Sequence, residues 1–229
     1  MSPVQQVAEA LLDRRRAVPP GESMLVAVSG IDGSGKGYVT GQLVAELRRR
    51  GVHAVAVNID GWLNLPSRRF GTDRPAEHFY HHAIRFEEMF EQLILPLKRQ
   101  RSVRVEADFA EETAQDYRRH TYDFRDVDVI VLEGIYLLKR AFRQYYDWTL
   151  WVDCSFETAL ERALGRGQEG LPPDETVRAY RTIYFPAQEV HFRLDGPRAA
   201  ADAVWVNDPR LGPEALEAPP ARRDETASQ

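Results

Sequence analysis

Residues 30–37 are Gly30-Ile31-Asp32-Gly33-Ser34-Gly35-Lys36-Gly37, and this stretch decides the fold of the 229-residue chain. It follows the apolar run 24–28 and leads into a segment with apolar residues at helical spacing. A phosphate chain needs several backbone N–H groups converging on it, and glycines allow a turn tight enough to supply them. Lys36 adds a charge that can reach the outer phosphates. The stretch predicts a site for ATP or another nucleoside triphosphate, formed by Gly30, Asp32, Gly33, Ser34, Gly35, Lys36 and Gly37.

Gly37 departs from the usual pattern of such a loop. The residue after the lysine is normally serine or threonine, whose hydroxyl binds the Mg²⁺ of the nucleotide. The sequence therefore predicts Mg²⁺ as a cofactor but lacks one of its ordinary ligands.

Composition and charge exclude several classes of protein. The length suits one α/β domain, and the net charge of -5 with a pI near 5.7 gives no electrostatic case for a nucleic-acid partner. No apolar run reaches the roughly 18 residues of a membrane span, so we expect no membrane partner. Cys154 is the single cysteine, which suits a reducing compartment, and we expect a cytoplasmic protein. The sequence is compatible with a monomer or a homo-oligomer.

Strands and helices alternate along the chain. The first twenty residues indicate an amphipathic helix, and we expect a long helix over 75–97 and strands or a hairpin over 102–124. Apolar runs predict buried strands at 24–28, 52–59, 127–132, 149–152 and 203–206. Such alternation predicts an α/β fold with a mostly parallel sheet, helices on both faces and ligands at the carboxyl ends of the strands.

The ordered domain is predicted to span residues 1–208. Within it, a segment near 165–175 is rich in glycine, proline and charge, lies between two helices and suits a mobile lid. Residues 209–229 contain too few apolar side chains to pack, so we expect a disordered tail there.

Two carboxylates follow buried strands and should meet the phosphate loop at one edge of the sheet. Asp60 follows the strand at 52–59 and is placed to accept a proton from an acceptor hydroxyl. Glu133 follows the strand at 127–132, where an acidic residue can hold Mg²⁺ directly or through water. We predict both as metal-site residues and Asp60 as the base; the alternative is that they are turn or cap carboxylates.

Arginines and aromatic residues complete the predicted site. Arg162 and Arg166 precede or open the lid, where closure would bring a guanidinium against the transferring phosphate. We therefore predict them as catalytic residues beside Lys36, Asp60 and Glu133. Around the acceptor, the candidates are Trp62, His78, Tyr80, His81, Phe109 and Glu112.

The motifs together resemble one superfamily. The chain is similar to uridine kinases and phosphoribulokinases over residues 24–207, through residues 30–36, Asn58-Ile59-Asp60-Gly61-Trp62, Leu132-Glu133-Gly134-Ile135, and Tyr180 with Phe185-Pro186-Ala187. The resemblance implies a P-loop NTPase fold that phosphorylates a metabolite hydroxyl. It implies that Asp60 is the base, Glu133 serves Mg²⁺, and the region of Arg162 and Arg166 touches the phosphates. Asp73, in Asp73-Arg74-Pro75, resembles a ribose-contacting residue of uridine kinases.

Departures from this pattern affect the substrate prediction. Where uridine kinases place a base-contacting Tyr-Asp-Phe, this chain has Ala107-Asp108-Phe109, and Ala179 replaces the expected glutamine before Tyr180. A pocket built to hydrogen-bond uracil is therefore not evident. The run Asp60-Gly61-Trp62-Leu63, with Pro66 after it, also resembles pantothenate kinases of the same superfamily.

The leading hypothesis is an ATP-dependent kinase of the uridine kinase type, acting on the hydroxyl of a small metabolite. The first alternative is a kinase for a pantothenate-like or sugar-like acceptor. The second is a nucleotide-binding regulatory protein whose catalysis is impaired because Gly37 replaces the loop hydroxyl.

Overall fold

The structure is a computed structural model that describes residues 1–167 and 170–218. A central sheet has six strands in the order β2-β5-β1-β6-β7-β8, and a separate hairpin pairs β3 with β4. The strands of the sheet are β1 (Met24–Gly30), β2 (Ala54–Asn58), β5 (Val129–Gly134), β6 (Trp148–Asp153), β7 (Ala203–Val206) and β8 (Ala215–Glu217). The hairpin strands are β3 (Val103–Phe109) and β4 (Arg118–Phe124). All pairs from β2 to β7 are parallel, which confirms the predicted α/β fold.

Helices cover both faces of the sheet. They are α1 (Pro3–Arg15), α2 (Lys36–Arg49), α3 (Pro66–Arg69), α4 (Pro75–His82), α5 (Phe86–Met89), α6 (Leu95–Gln100), α7 (Phe156–Arg166), α8 (Pro173–Ala179), α9 (Phe185–Asp195) and α10 (Pro197–Ala200). Within the described ranges, no helix is long and apolar enough to cross a bilayer.

The central strand β1 is buried along its whole length, and its side chains pack into two hydrophobic cores. Leu25 and Ala27 point to one face, where they join the core that includes α5 and α9. Val26 and Val28 point to the other face, where they join α1 and α2. A strand covered on both faces reads as a continuous apolar run, which is why the sequence located it.

The predicted helix over 75–97 is interrupted after α4. The N–H of Arg85 donates to the carbonyl of Trp62 (2.9 Å), and Ile84 forms a β-bridge with Leu63. These pairings take backbone groups that a continuous helix would have used. They also fix the chain after Asp60 against the helical layer.

Two helical turns are widened to π-helix, at Phe90–Ile94 before α6 and at Tyr180–Tyr184 before α9. Each is followed after one residue by a proline, Pro96 or Pro186. Because proline has no N–H and its ring crowds the preceding turn, a wider turn accommodates it without ending the helical path. The helical segments at 86–100 and 173–195 are thereby kept continuous.

The chain after residue 208 differs from the predicted disordered tail. Ala215–Glu217 forms β8, antiparallel to β7, and Leu216 packs against the core beneath α1 and α2. The open edge of β7 supplies the backbone partners that composition alone did not reveal. Residues 219–229 of the predicted tail, and residues 168–169 of the predicted lid, lie outside the described residues.

Candidate active site

The phosphate loop joins β1 to α2, as the sequence predicts. Gly33 and Gly35 have positive φ angles of 76° and 89°, and a Cβ on Gly33 would lie 2.5 Å from the carbonyl oxygen of Ala159. Helix α2 begins at Lys36 with no side-chain cap and no acidic residue in its first turn. The first N–H groups of a helix have no intrahelical acceptor, so they can serve an anion. The loop fits a phosphate chain.

Lys36 is buried under the loop. Its Nζ donates to the carbonyl of Ile31 (2.9 Å), and its side chain lines the cavity described below. The ammonium group is therefore held within the loop that would receive the phosphates.

Asp32 contacts the phosphate loop and the helices on either side of the predicted lid. Its Oδ1 accepts from the N–H of Gly33 (2.9 Å) and faces Arg166 (3.4 Å), and its other oxygen accepts from the hydroxyl of Tyr180. Burial alone would raise the pKa of Asp32, but Lys36, Arg166 and Tyr180 outweigh it and hold that pKa below its ordinary value. Asp32 therefore stays ionised and connects Arg166 to the loop.

Arg162 lies behind the loop rather than over it. Its guanidinium donates to the carbonyls of Ser34 (3.1 Å) and Asn207 (3.0 Å), while Asn207 itself donates to Ser34 (2.8 Å). In this arrangement Arg162 supports the loop from its outer side. Arg166 is the arginine that lines the cavity, and contact of either with a phosphate stays a prediction.

Asn58 links the two predicted carboxylates, because the strand register places it opposite Glu133. Its Oδ1 accepts from the backbone N–H of Asp60 (2.7 Å), and its Nδ2 donates to Oε2 of Glu133 (3.0 Å). One amide thus caps the turn that carries Asp60 and orients Glu133. Asn58 begins the motif Asn58-Ile59-Asp60-Gly61-Trp62, but its role could not be predicted from the sequence.

Asp60 and Glu133 share an electrostatic environment. Asp60 presents an exposed face to the cavity, and Glu133 is buried. The protein around the Asp60 carboxyl group desolvates it and so raises its pKa. Lys36 opposes this increase, and Asp32 adds to it. Burial raises the pKa of Glu133 in the same way, with Asp60 and Asp32 contributing. The carboxylates repel one another, and a cation between them would relieve that repulsion.

These oxygens fit Mg²⁺, which prefers carboxylate, phosphate and water ligands. Within residues 1–167 and 170–218, no three His, Cys, Asp or Glu side chains converge as a ready metal site. Mg²⁺ would therefore be completed by phosphate oxygens and water rather than by protein alone. A Cβ on Gly37 would lie 3.9 Å from Oε2 of Glu133, so the missing hydroxyl belongs to this same corner.

A cavity of about 310 Å³ joins the phosphate loop to an acceptor region. Lys36, Asn58, Asp60 and Glu133 all lie on its wall. The phosphate half is formed by Asp32, Gly33, Gly35, Gly37, Tyr38 and Arg166. The other half is formed by Leu63, Arg69, Phe79, Glu112, Ile135, Tyr136, Tyr184 and Gln188.

Two of the predicted acceptor residues lie at or beside this cavity. Glu112 lines it. Phe109 packs its ring on Gly61, where a Cβ would lie 2.6 Å from ring Cε2, so the hairpin closes directly over the residue after Asp60.

Trp62 is fully buried and stacks on Tyr122 with ring centroids 5.7 Å apart. Its indole packs against the hairpin rather than lining the cavity. Trp62 directly follows the turn at Ile59–Gly61.

The remaining predicted acceptor residues, all on or next to α4, lie away from the cavity. The hydroxyl of Tyr80 donates to Asp195 (2.5 Å), and His78 contacts the carbonyl of Arg68 (2.9 Å). His81 and Asp73 are exposed. The face of α4 that reaches the cavity carries Phe79 instead, and spacing alone did not distinguish the faces.

Three buried polar residues on the acceptor half were missed. Arg69, Tyr136 and Gln188 are 3%, 0% and 1% exposed and line the cavity. Tyr136 follows the motif Leu132-Glu133-Gly134-Ile135, and Gln188 follows Phe185-Pro186-Ala187, so both lie next to motifs of the sequence. Arg69 lies in a short basic pair that looks like a solvated surface in sequence.

The family model for phosphoribulokinase and uridine kinase matches residues 25–170. The chain belongs to this family. A uridine kinase from Staphylococcus aureus (strain JH9) is 26% identical over 170 residues, which make up 72% of this chain and 79% of that protein.

Solved structures share the fold of this phosphoribulokinase / uridine kinase family member. A possible uridine kinase from Bacillus stearothermophilus has a TM-score of 0.68 at 19% identity and covers 88% of this chain and 96% of its own. A putative fructose transport system kinase from Silicibacter sp. TM1040 has a TM-score of 0.69 at 24% identity, covering 88% and 98%. A D-glycerate 3-kinase from Cryptococcus neoformans has a TM-score of 0.66 at 16% identity, covering 94% and 98%. These likenesses show the P-loop kinase fold alone.

Proposed function

We propose that this chain is an ATP-dependent kinase that transfers the γ-phosphoryl group of ATP to a hydroxyl of a small metabolite. One observation carries the proposal. The same cavity contains the phosphate loop with Lys36, the carboxylates Asp60 and Glu133, and an acceptor region beyond them. Phosphoryl transfer needs these three elements in one place: charge neutralisation, a base, and room for the attacking hydroxyl.

Each residue has a distinct part in this proposal. ATP with Mg²⁺ would supply the phosphoryl group and neutralise part of its charge. The loop amides and Lys36 bind the triphosphate, and Asp60 accepts the proton from the acceptor hydroxyl. Asn58 holds the turn of Asp60 and orients Glu133 towards the metal position.

The arrangement favours catalysis over regulatory binding alone. A protein that only senses a nucleotide needs the loop, but it does not need a carboxylate on the acceptor side. The raised pKa of Asp60 matters here, because a carboxylate with a raised pKa is a stronger base.

The identity of the compound that accepts the phosphoryl group is a separate question. The uridine kinase relative makes a nucleoside the first acceptor to test. A non-nucleoside acceptor is the second, because Ala107 at the start of the Ala107-Asp108-Phe109 run is buried and brings no polar side chain.

A phosphorylation screen tests the proposed function. The purified chain, ATP and Mg²⁺ are incubated with nucleosides, pantothenate, sugars and sugar acids, and phosphorylated products are identified by mass spectrometry. We expect ATP-dependent phosphorylation of at least one hydroxyl compound. Thermal stabilisation by ATP with no product from any acceptor would instead favour the regulatory alternative, and absence of ATP binding would overturn both.

Gly37→Ser is expected to preserve activity and lower the Mg²⁺ concentration that gives half the maximal rate. The new Cβ would stand 3.9 Å from Glu133 in ordinary contact, so the hydroxyl would enter the metal corner. Gly37 lies in α2 without a positive φ, and serine is favoured over glycine in a helix by about 0.5 kcal/mol. Initial rates across an Mg²⁺ titration check the change.

Gly37→Ala is the matched control, because it restores the side-chain volume and helix propensity without a hydroxyl. An equal shift in Gly37→Ala would assign the effect to the helix rather than to the metal. An unchanged Mg²⁺ dependence in Gly37→Ser would contradict the idea that the missing hydroxyl shapes this site.

A further inference from the structure

We infer that the acceptor is a hydroxy acid, whose carboxylate binds Arg69 while its hydroxyl faces Asp60. The inference rests on the proposed function and specifies its substrate class. It is carried by three buried polar side chains on the acceptor half of the cavity, each with a polar atom that has no hydrogen-bond partner.

Arg69 is a buried cation with unfilled hydrogen-bonding capacity. Arg69 is the last residue of α3. One of its terminal nitrogens donates to the backbone carbonyl of Glu112, and its guanidinium lies 5.1 Å from the ring centroid of Phe70. Its Nε has no partner. The carboxylate of Glu112 acts on Arg69 electrostatically, whereas the hydrogen bond from Arg69 goes to the Glu112 backbone. A guanidinium has five N–H donors, so much of its capacity remains for a ligand.

Burying such a group without an anion is costly. A charge taken out of water needs a partner of opposite charge or a full set of hydrogen bonds. The burial lowers the pKa of Arg69, with Glu112 and Tyr184 opposing that effect. Arginine nevertheless keeps its charge in proteins, so the cavity presents a cation whose burial outweighs the attraction of Glu112.

Two further groups lie on the same half of the cavity. The hydroxyl of Tyr136 and Oε1 of Gln188 also lack partners. Tyr136 directly follows Ile135 and the turn after Glu133, while Gln188 is presented by α9. A small polyhydroxylated acid would satisfy both, since its hydroxyls can donate to Gln188 and pair with the Tyr136 hydroxyl.

The charge balance favours a carboxylate over a phosphate. One guanidinium matches one negative charge, and the cavity wall already contains the carboxylates of Asp60, Glu112 and Glu133. A second negative charge on the acceptor would add to this repulsion, because the other cations of the cavity, Lys36 and Arg166, are held at the phosphate loop. The planar fork of arginine also matches the two oxygens of a carboxylate.

The test uses acceptors paired as acid and alcohol: D-glycerate with glycerol, pantothenate with pantothenol, and gluconate with sorbitol. Phosphorylation rates are measured with ATP and Mg²⁺, and binding of each compound is measured by calorimetry without nucleotide. Uridine and a sugar phosphate complete the panel. We expect at least one acid to exceed its alcohol by about 30-fold or more in kcat/KM, the range for a buried charge pair.

The variants are Arg69→Met and, as its control, Arg68→Met. Arg68 is exposed on the same helix and does not belong to the cavity lining. Arg69→Met keeps the volume and should fold, because a buried charge is replaced by an apolar group. We expect it to lose the preference for the acid by about 30-fold while changing rates with alcohols less than about threefold. Arg69→Lys, which keeps the charge but not the fork, should fall between.

Several results would overturn the inference and leave the kinase proposal standing. These are equal use of acid and alcohol by the wild type, a preference for uridine or the sugar phosphate, or equal losses with acid and alcohol in Arg69→Met. If no compound is phosphorylated, the kinase proposal fails, and calorimetry decides the inference separately. Acid binding that depends on Arg69 supports it, and no acid binding overturns it.

Discussion

Lys36→Ala is expected to lower turnover by about 10³-fold and to weaken binding of ATP. The ammonium group is buried in the phosphate loop and donates to the carbonyl of Ile31. Alanine removes the charge that opposes the outer phosphates. Steady-state kinetics and calorimetric titration with ATP measure the two effects.

The same substitution should alter the acid limb of the pH profile. Lys36 lowers the pKa values of Asp32, Asp60 and Glu133, so its loss should raise all three. The residual activity should therefore need a higher pH than the wild type. Lys36→Met retains the stem without the charge and should behave like Lys36→Ala. Wild-type turnover in either variant would show that the loop does not bind the donor phosphates.

The loop and the carboxylates could be located from sequence because each depends on local order. A buried parallel strand leaves a continuous apolar run, and the residue after it must lie at the carboxyl edge of the sheet. Asp60 and Glu133 follow two such runs, and the register of β2 with β5 brings them together at Asn58. The fold prediction rested on the same reasoning.

The acceptor half could not be located in this way because it depends on the rotation of short helices. Tyr80 and Phe79 are adjacent on α4, yet Phe79 reaches the cavity while Tyr80 pairs with Asp195. Arg68 and Arg69 are also adjacent, and only the second is buried. Tertiary packing decides these choices, and no periodicity extends over a helix as short as α3.

The two arginines predicted at the lid also could not be distinguished by sequence spacing. Arg162 and Arg166 are one helical turn apart on α7, so sequence spacing treats them alike. In the structure Arg162 is satisfied by loop carbonyls, whereas Arg166 faces Asp32. Arg162 therefore supports the loop, whereas contact of Arg166 with a phosphate stays a prediction.

Asp60→Asn is expected to reduce turnover by about 10²-fold or more while leaving ATP affinity nearly intact. Asparagine has the same shape and keeps the backbone N–H that donates to Asn58, so the turn should persist. Its amide cannot accept the proton of the attacking hydroxyl. The raised pKa of Asp60 places the acid limb of the wild-type profile above the ordinary carboxylate range, because activity requires the ionised form. The variant should lose that limb.

Asp116→Asn is the matched control, since Asp116 is an exposed carboxylate in the hairpin loop outside the cavity. It should retain wild-type turnover and pH dependence. ATP binding to Asp60→Asn is then measured with and without Mg²⁺, which separates the two roles of the carboxylate. If affinity falls as far as turnover, and only when Mg²⁺ is present, Asp60 acts chiefly as a metal ligand and the base must be sought elsewhere. If turnover falls and affinity does not, proton acceptance is the role that the loss of Asp60 removes, because the donor site is still intact.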